Sequence, residues 1–572
     1  MIAPLAAPLA GSGQPAPAPS GASGPAVYHN GTIVTMARDR PTASAMAVSG
    51  NRFLAVGSHE EVLRAAGSSA TKIDLRGRCV VPGIIESHVH PIRSALAEKD
   101  GPVPVLDSIA AIQDFMRREA ARLPQDKLVF APKVYSTRLK ERRFPTRHEL
   151  DKAVPKHAAI ADTDYAAVLN SVALAKLGIN RNTPDPPNGK IIRDAGGEPT
   201  GLILGARNLL APILQIRTFT FEDEVWALTT LQKRYNSAGI TSIVDRSHEP
   251  HRVRLYQQFS RNGELTVRTT ITHRITLEGT PALVRDKLQS ALSVTGFGDD
   301  WVRMGAVKAI LDGGILLGTA YLREPYGTNT DIYGYKDPDY RGVYSFPQDN
   351  VVAMARTANE FGWQMTSHAA GGGATDLLLD AYEAANKDKP IRPLRFTVTH
   401  GNFPNKRAIE RARNMGVIFD MQPAWHYYDG PAIAPAFGLS RMRDFMPLRS
   451  LLDAGVMVVG GSDQMLRLDP RLSLNPYHPF FGMWMAITRK TVDGNVLGPE
   501  QRITREEALK LWTINAAFAT FDDKKKGSIE PGKLADFAVI DRDYMKCPED
   551  EIRDIETLMT VVDGRVVYER KT

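Results

Sequence analysis

Cys79-Val80-Val81-Pro82-Gly83-Ile84-Ile85-Glu86-Ser87-His88-Val89-His90 is an apolar run that ends on two histidines one residue apart. A short, nearly continuous apolar run suits a strand buried on both faces, as in a parallel sheet. In an extended strand alternate side chains share a face. His88 and His90 therefore aim two imidazoles at one point while Val89 packs behind them. Neutral imidazole is a common metal ligand, and two on one rigid strand make half of a divalent site. An isolated His-x-His also fits two unrelated histidines at a strand end, so the pair needs support from elsewhere in the chain.

Seven further runs repeat the pattern, at residues 240–246, 266–274, 304–311, 364–368, 396–400, 417–422 and 457–463. Helix-capable stretches such as 377–385, 406–414 and 448–454 follow several of them. With 84–90, eight such units predict an α/β fold, a (β/α)8 TIM-type barrel whose active site lies at the C-terminal ends of its strands. The competing open doubly wound sheet lacks its Gly-rich phosphate turn. Both ends of the chain are rich in short β-type runs. They are punctuated by the turn signals Asn30-Gly31, Ser49-Gly50-Asn51 and Asp563-Gly564. Residues 27–82 and 515–572 are thus expected to meet in a small β-sandwich domain, with the barrel, 83–514, inserted into it. The stretch 94–217 is too long for a βα loop and reads as a lid-like insertion over the barrel mouth.

Composition narrows the classes of partner. A hydrophobic fraction of 43% and a charged fraction of 24% describe an ordinary globular protein. A net charge of +7 without a dense basic tract gives no nucleic-acid footprint, and Lys524-Lys525-Lys526 reads as a solvated turn. No run reaches the ~18 apolar residues of a membrane span. Two cysteines, Cys79 and Cys547, make no disulfide framework and read as inert thiols. Residues 1–26, rich in Ala, Pro, Gly and Ser, read as a disordered tail or the remnant of an export signal. A cytoplasmic location is favoured, with export left open.

The polar ends of the later runs support the histidine pair. Lys308 interrupts an otherwise apolar strand, and a buried lysine must lose its proton, find a partner or be modified. His368, His400 and Asp463 each end a run. Singly, such residues cap helices or bond loops. Together with His88 and His90, on separate strands, they form a nitrogen and oxygen ligand set suited to Zn²⁺, Mn²⁺ or Fe²⁺.

The order of motifs resembles the amidohydrolase superfamily, and most closely its YtcJ-like branch, which includes N-substituted formamide deformylases. The resemblance extends from Val27 onward. It is carried by Asn30-Gly31-Thr32-Ile33, Val81-Pro82-Gly83 with His88-Val89-His90, Asn182-Thr183-Pro184-Asp185-Pro186-Pro187 and Gly197-Glu198-Pro199-Thr200-Gly201. Gly239–Asp245, Val307-Lys308 with Asp312-Gly313, Met421-Gln422-Pro423, Gly461-Ser462-Asp463 and Gly532-Lys533-Leu534-Ala535-Asp536 continue it. The resemblance implies that His88 and His90 bind one metal and that His368 and His400 bind a second. It implies that a carbamylated Lys308 bridges them, and that Asp463 is both ligand and general base. Zinc is the expected ion, in one or two copies, and a homodimer is implied.

Four positions depart from the family pattern: Glu86 for Asp, Thr399 for Glu, Gly314 for Ser and Tyr165 for His. The expected reaction is hydrolysis of a C–N bond in a small amide, formamide or cyclic amide by hydroxide generated at the metal. The alternatives are a non-hydrolytic metal enzyme, such as a lyase or isomerase, and an inactive metal-binding barrel. His248, His273 and the cluster Trp425-His426-Tyr427-Tyr428, on the loop expected after the seventh strand, are weaker pocket candidates. For those aromatics, substrate contact and packing under the lid are both open.

Overall fold

In the computed structural model the described residues are 24–571, apart from 164, 187–188, 206, 215–217, 249–251, 291–294 and 328. The tail expected over 1–26 falls, for residues 1–23, outside them. All eight expected barrel strands form, with ends shifted by a few residues. In order they are Ile84–Val89, Ile240–His248, Arg268–Arg274, Val302–Ile310, Met365–Ala369, Thr397–His400, Ile418–Met421 and Val458–Gly460. Each pairs in parallel with the next, giving one nearly closed eight-stranded sheet. Most of their residues are buried on both faces, which is why the runs read as continuous apolarity rather than alternation.

Closure between the eighth and first strands uses polar contacts. Val89 bridges Gln464, and the Glu86 carboxylate accepts from the backbone N–H of Ser462 at 2.8 Å and of His88 at 3.2 Å. Gly461 lets the two backbones approach, since a Cβ there would lie 2.8 Å from Glu86 Oε1, His88 N and Ser87 Oγ. The Asp-to-Glu departure thus falls at the barrel seam.

Strands from both termini join one eight-stranded sheet. Arg565–Glu569, Thr557–Val562, Phe537–Ile540, Cys79–Pro82, Ala26–Val34, Thr42–Ser49 and Arg52–Gly57 run across it, and Thr71–Asp74 pairs beside Ala26–Val34. Ser49-Gly50-Asn51 and Asp563-Gly564 turn hairpins as expected. Asn30-Gly31 does not. It lies within Ala26–Val34 at a register shift, with Asn30 at φ +59° and Gly31 pressed against Arg78 and Leu75. A single positive-φ residue can bulge a strand without reversing it. Lys526 is also not solvated. It is buried, 2.9 Å from Ser242 Oγ and 3.3 Å from Asp522. Cys79 and Cys547 are unbridged, and no helix among the described residues is long and apolar enough to cross a membrane.

The insertion builds its own five-stranded sheet, in the order Lys190–Arg193, Pro199–Leu204, Ala166–Leu169, Ala159–Asp162, Val129–Ala131. Its apolar residues share a core with the loops at the C-terminal end of the barrel: Val134, Tyr135, Leu139 and Leu204 pack with Leu317, Tyr333, Trp425, Phe437 and Phe445.

Candidate metal centre

His88 lies near the end of the first strand, with His90 just beyond it. Lys308 lies in the fourth strand and His368 in the fifth. His400 ends the sixth, and Asp463 follows the eighth. All six stand at the C-terminal ends of their strands. His88, His400 and Asp463 form the tightest group, each offering a ligand atom within 4.8 Å of the others. Asp463 Oδ1 lies 3.4 Å from His88 Nε2 and 3.2 Å from His90 Nε2. The His400 ring is 5.2 Å from that of His88 and 4.4 Å from that of His368. His368 turns its Nε2 to the carbonyl oxygen of Gly313, at 3.1 Å, and so stands beside the group without joining it. Lys308 is buried near it, and its ammonium makes no hydrogen bond or ion pair among the described residues.

Backbone strain accompanies this convergence. His400 sits at φ +74° and Asp463 at φ +59°, in the left-handed region where a non-glycine residue is costly. Such conformations persist only where the surroundings over-determine them. Asp463 N–H donates to the His88 carbonyl at 2.9 Å, and its own carbonyl accepts from Asn475 at 3.1 Å. Asp463 does not cap a helix: turn and isolated-bridge residues follow it.

The residues behind the imidazoles fix their orientation. Asp420 Oδ2 meets His88 Nδ1 at 2.9 Å, and its carboxylate also takes the Ser87 hydroxyl at 2.8 Å and Arg246 Nη2 at 3.3 Å. Gln422 Oε1 meets His400 Nδ1 at 2.7 Å. Asp420 and Gln422 are two apart along one strand direction, so both face the barrel interior. With Nδ1 of each ring engaged as a donor, the Nε2 lone pairs point into the mouth. The buried His88 Nε2 has no hydrogen-bond partner among the described residues. That orphaned acceptor, beside a carboxylate and a second imidazole, fits a divalent ion.

The electrostatics agree. Burial holds His88 and His368 well below the ordinary imidazole range and lowers His400, which favours the neutral, ligating form. Burial would push the Asp463 carboxyl up, but the imidazoles of His88, His90 and His400 outweigh it and hold Asp463 below the carboxylate range. Burial, with Arg246 nearby, brings Lys308 down to about 8. Burial pushes Glu86 up to about 8.

The weaker candidates separate. His273 lies in the third strand, and the side chain of His248 lies outside the described residues. Trp425, His426, Tyr427 and Tyr428 sit on a helix, Pro423–Phe437, rather than a loop. Trp425 packs 6.3 Å from Tyr135 of the insertion, and His426 Nε2 meets the Leu497 carbonyl oxygen at 3.0 Å. Tyr165 of the insertion lies over His368, ring centres 5.5 Å apart. Thr399 bonds Thr366 at 2.8 Å, and Gly314 N–H donates to Thr319 at 3.0 Å. Sequence reading missed Asp420, although its alternation with Gln422 inside an apolar run was the available signal.

Residues 71–568 match the Amidohydrolase family. The chain is 29% identical to an N-substituted formamide deformylase of Arthrobacter pascens over 95% of its own length and 98% of that protein. It is 27% identical to the putative amidohydrolase YtcJ of Bacillus subtilis (strain 168), covering 95% and 99% of the two chains. An uncharacterized metal-dependent hydrolase from Pyrococcus furiosus has the same fold, with a TM-score of 0.64 at 24% identity over 91% of this chain and all of that one. A barrel with imidazoles and a carboxylate converging at its C-terminal mouth, matched over most of its length, belongs to the amidohydrolase family.

Proposed function

We propose that this amidohydrolase cleaves a C–N bond in a small amide, an N-substituted formamide or a cyclic amide, using a divalent ion, with zinc the expected one. The observation that carries the reading is the buried group of His88, His400 and Asp463, with the unpartnered His88 Nε2 facing the barrel mouth. His88, His90 and Asp463 would hold one ion. His368 and His400, with Lys308 as a carbamate, would complete a second position. A bound ion supplies Lewis acidity toward a carbonyl oxygen and lowers the pKa of water.

The remaining chemistry falls to the chain. Asp463, held ionised by its imidazole neighbours, takes the proton that the attacking water loses and returns it to the leaving nitrogen. Lys308, brought down to about 8, keeps a neutral-amine fraction near neutral pH. That amine can add to CO₂, forming an N–C bond and releasing a proton. The resulting carbamate replaces a costly buried cation with an anion. The insertion covers the mouth and restricts water. The formamide option is supported by the full-length similarity to a formamide deformylase. A homodimer and a cytoplasmic location complete the proposal; unbridged Cys79 and Cys547 suit a reducing compartment. Sedimentation equilibrium reads out the first.

The test is a substrate panel of formanilide, N-alkyl formamides, cyclic ureides, carboxylic esters and dipeptides. Each is assayed before chelation, after it and after metal restoration. Amide or formamide turnover that disappears on chelation, returns with metal and is lost in His88→Ala and Asp463→Asn is expected. Stoichiometric metal with no amide turnover, or full turnover by Asp463→Asn, would overturn the reading.

A further inference from the structure

One largely buried guanidinium ties the insertion to the strained backbone of Asp463. Arg138 belongs to the short turn Ser136–Arg138 of the insertion. Its fork meets Asp429 of the helix Pro423–Phe437 twice, Nε to Oδ1 at 3.1 Å and Nη2 to Oδ2 at 2.9 Å. Thr137 donates to the same carboxylate at 2.6 Å. Arg138 Nη2 also donates to Asn475 Oδ1 at 2.9 Å, and Nη1 donates to the Leu474 carbonyl oxygen. Asn475, fully buried, passes the contact on, its Nδ2 donating to the Asp463 carbonyl at 3.1 Å. The rings of Tyr135, Trp425 and Tyr428 surround the guanidinium, their centres 5.5, 5.2 and 4.8 Å from its carbon.

Arg138 therefore gathers three segments distant in sequence: the insertion, the helix after the seventh strand and the loop after the eighth. With four hydrogen bonds to protein acceptors it has little capacity left for a substrate. Its consequence lies at Asp463, whose positive φ must be held from outside. We infer that Arg138 and Asn475 are positioning residues for Asp463, so that docking of the insertion and the working geometry of the barrel's acidic residue are one event. This rests on the role proposed above for Asp463. The insertion then has two duties, to cover the mouth and to set the carboxylate beneath it. A lysine cannot replace the arginine, because a single ammonium cannot span Asp429 and Asn475 with a planar fork.

The experiment compares Arg138→Ala, Arg138→Lys and Asn475→Ala with the full-length wild type, after metal content and thermal midpoint are recorded for each. On formanilide, kcat is expected to fall ~10–100-fold with KM changed less than ~3-fold, as for a displaced catalytic group. Guanidinium ion is expected to restore part of the Arg138→Ala activity and none of the Asn475→Ala loss. In the metal-free protein, amide hydrogen exchange across residues 461–476 is expected to quicken ~10-fold in Arg138→Ala and Asn475→Ala. Unchanged kcat and unchanged exchange in a folded variant would overturn the inference. So would a loss that only tracks metal content or midpoint. If Arg138→Ala does not fold, Asn475→Ser and the exchange measurement carry the test. An inactive Asp463→Asn beside an unaffected Asn475→Ala refutes this inference alone, whereas an active Asp463→Asn refutes the reading beneath it.

Discussion

At the scale of single residues, the centre depends on which nitrogen of each imidazole carries the proton. His88 Nδ1 faces the Asp420 carboxylate and His400 Nδ1 faces the Gln422 carbonyl oxygen, so both rings present an unprotonated Nε2 to the mouth. Replacing Asp420 with Asn removes a charged acceptor from His88 and leaves Arg246 facing a neutral group. Metal affinity is expected to fall ~10–100-fold, read by competition with a chromophoric chelator. Unchanged affinity would show that the ring is oriented by packing alone. Gln422→Leu is expected to weaken binding through His400 in the same assay, by a similar factor. The six candidate ligands were legible in the sequence because each is a polar residue in or at the end of an apolar run. Arg138, Asp429 and Asn475 were not legible. Their chemistry arises from contacts across 291 and 337 residues, which no local pattern encodes.

At the scale of elements, the barrel strands were legible because parallel strands buried on both faces leave an unmistakable apolar record. The strand ends, the bulge at Asn30-Gly31 and the helix Pro423–Phe437 were not. Turn residues mark a positive φ without saying what the chain does next, and Pro431 and Pro435 disguise that helix. The seam between the first and eighth strands makes a sharp prediction. Gly461→Ala places a methyl against Glu86, Ser87 and His88. It is expected to destabilise the protein by about 1–3 kcal/mol, measured by denaturant unfolding. A neutral effect would mean that the seam is looser than described.

In the insertion, Arg143 and the N-terminal turn of the helix Arg147–Ala153 bring Glu149 down to about 2. A carboxyl lowered on folding stabilises above its unfolded value near 4.5 and loses that effect as pH falls toward 2. Glu149→Gln is therefore expected to be less stable than wild type by about 1 kcal/mol at pH 7, with the gap closing below pH 4.5. A pH-independent gap would assign the loss to packing. Midpoints across pH decide it.

At the scale of the whole molecule, the barrel lies between two other sheets. The terminal sheet's Cys79–Pro82 leads into the barrel's first strand, and the insertion packs on the loops at the opposite end. An ion bound only by the folded arrangement adds stability by mass action, about 4 kcal/mol when free ion exceeds its Kd a thousandfold. Exhaustive chelation is expected to lower the thermal midpoint, and stoichiometric Zn²⁺ to restore it. An unchanged midpoint would mean that no tight site exists. The most direct measurement of the central claim is an anomalous difference map, collected at the absorption edge of the bound metal from crystals of the protein. The account predicts a strong peak contacted by His88 and Asp463 at the C-terminal mouth of the barrel. A fully loaded protein whose peaks all lie away from these two side chains would contradict it.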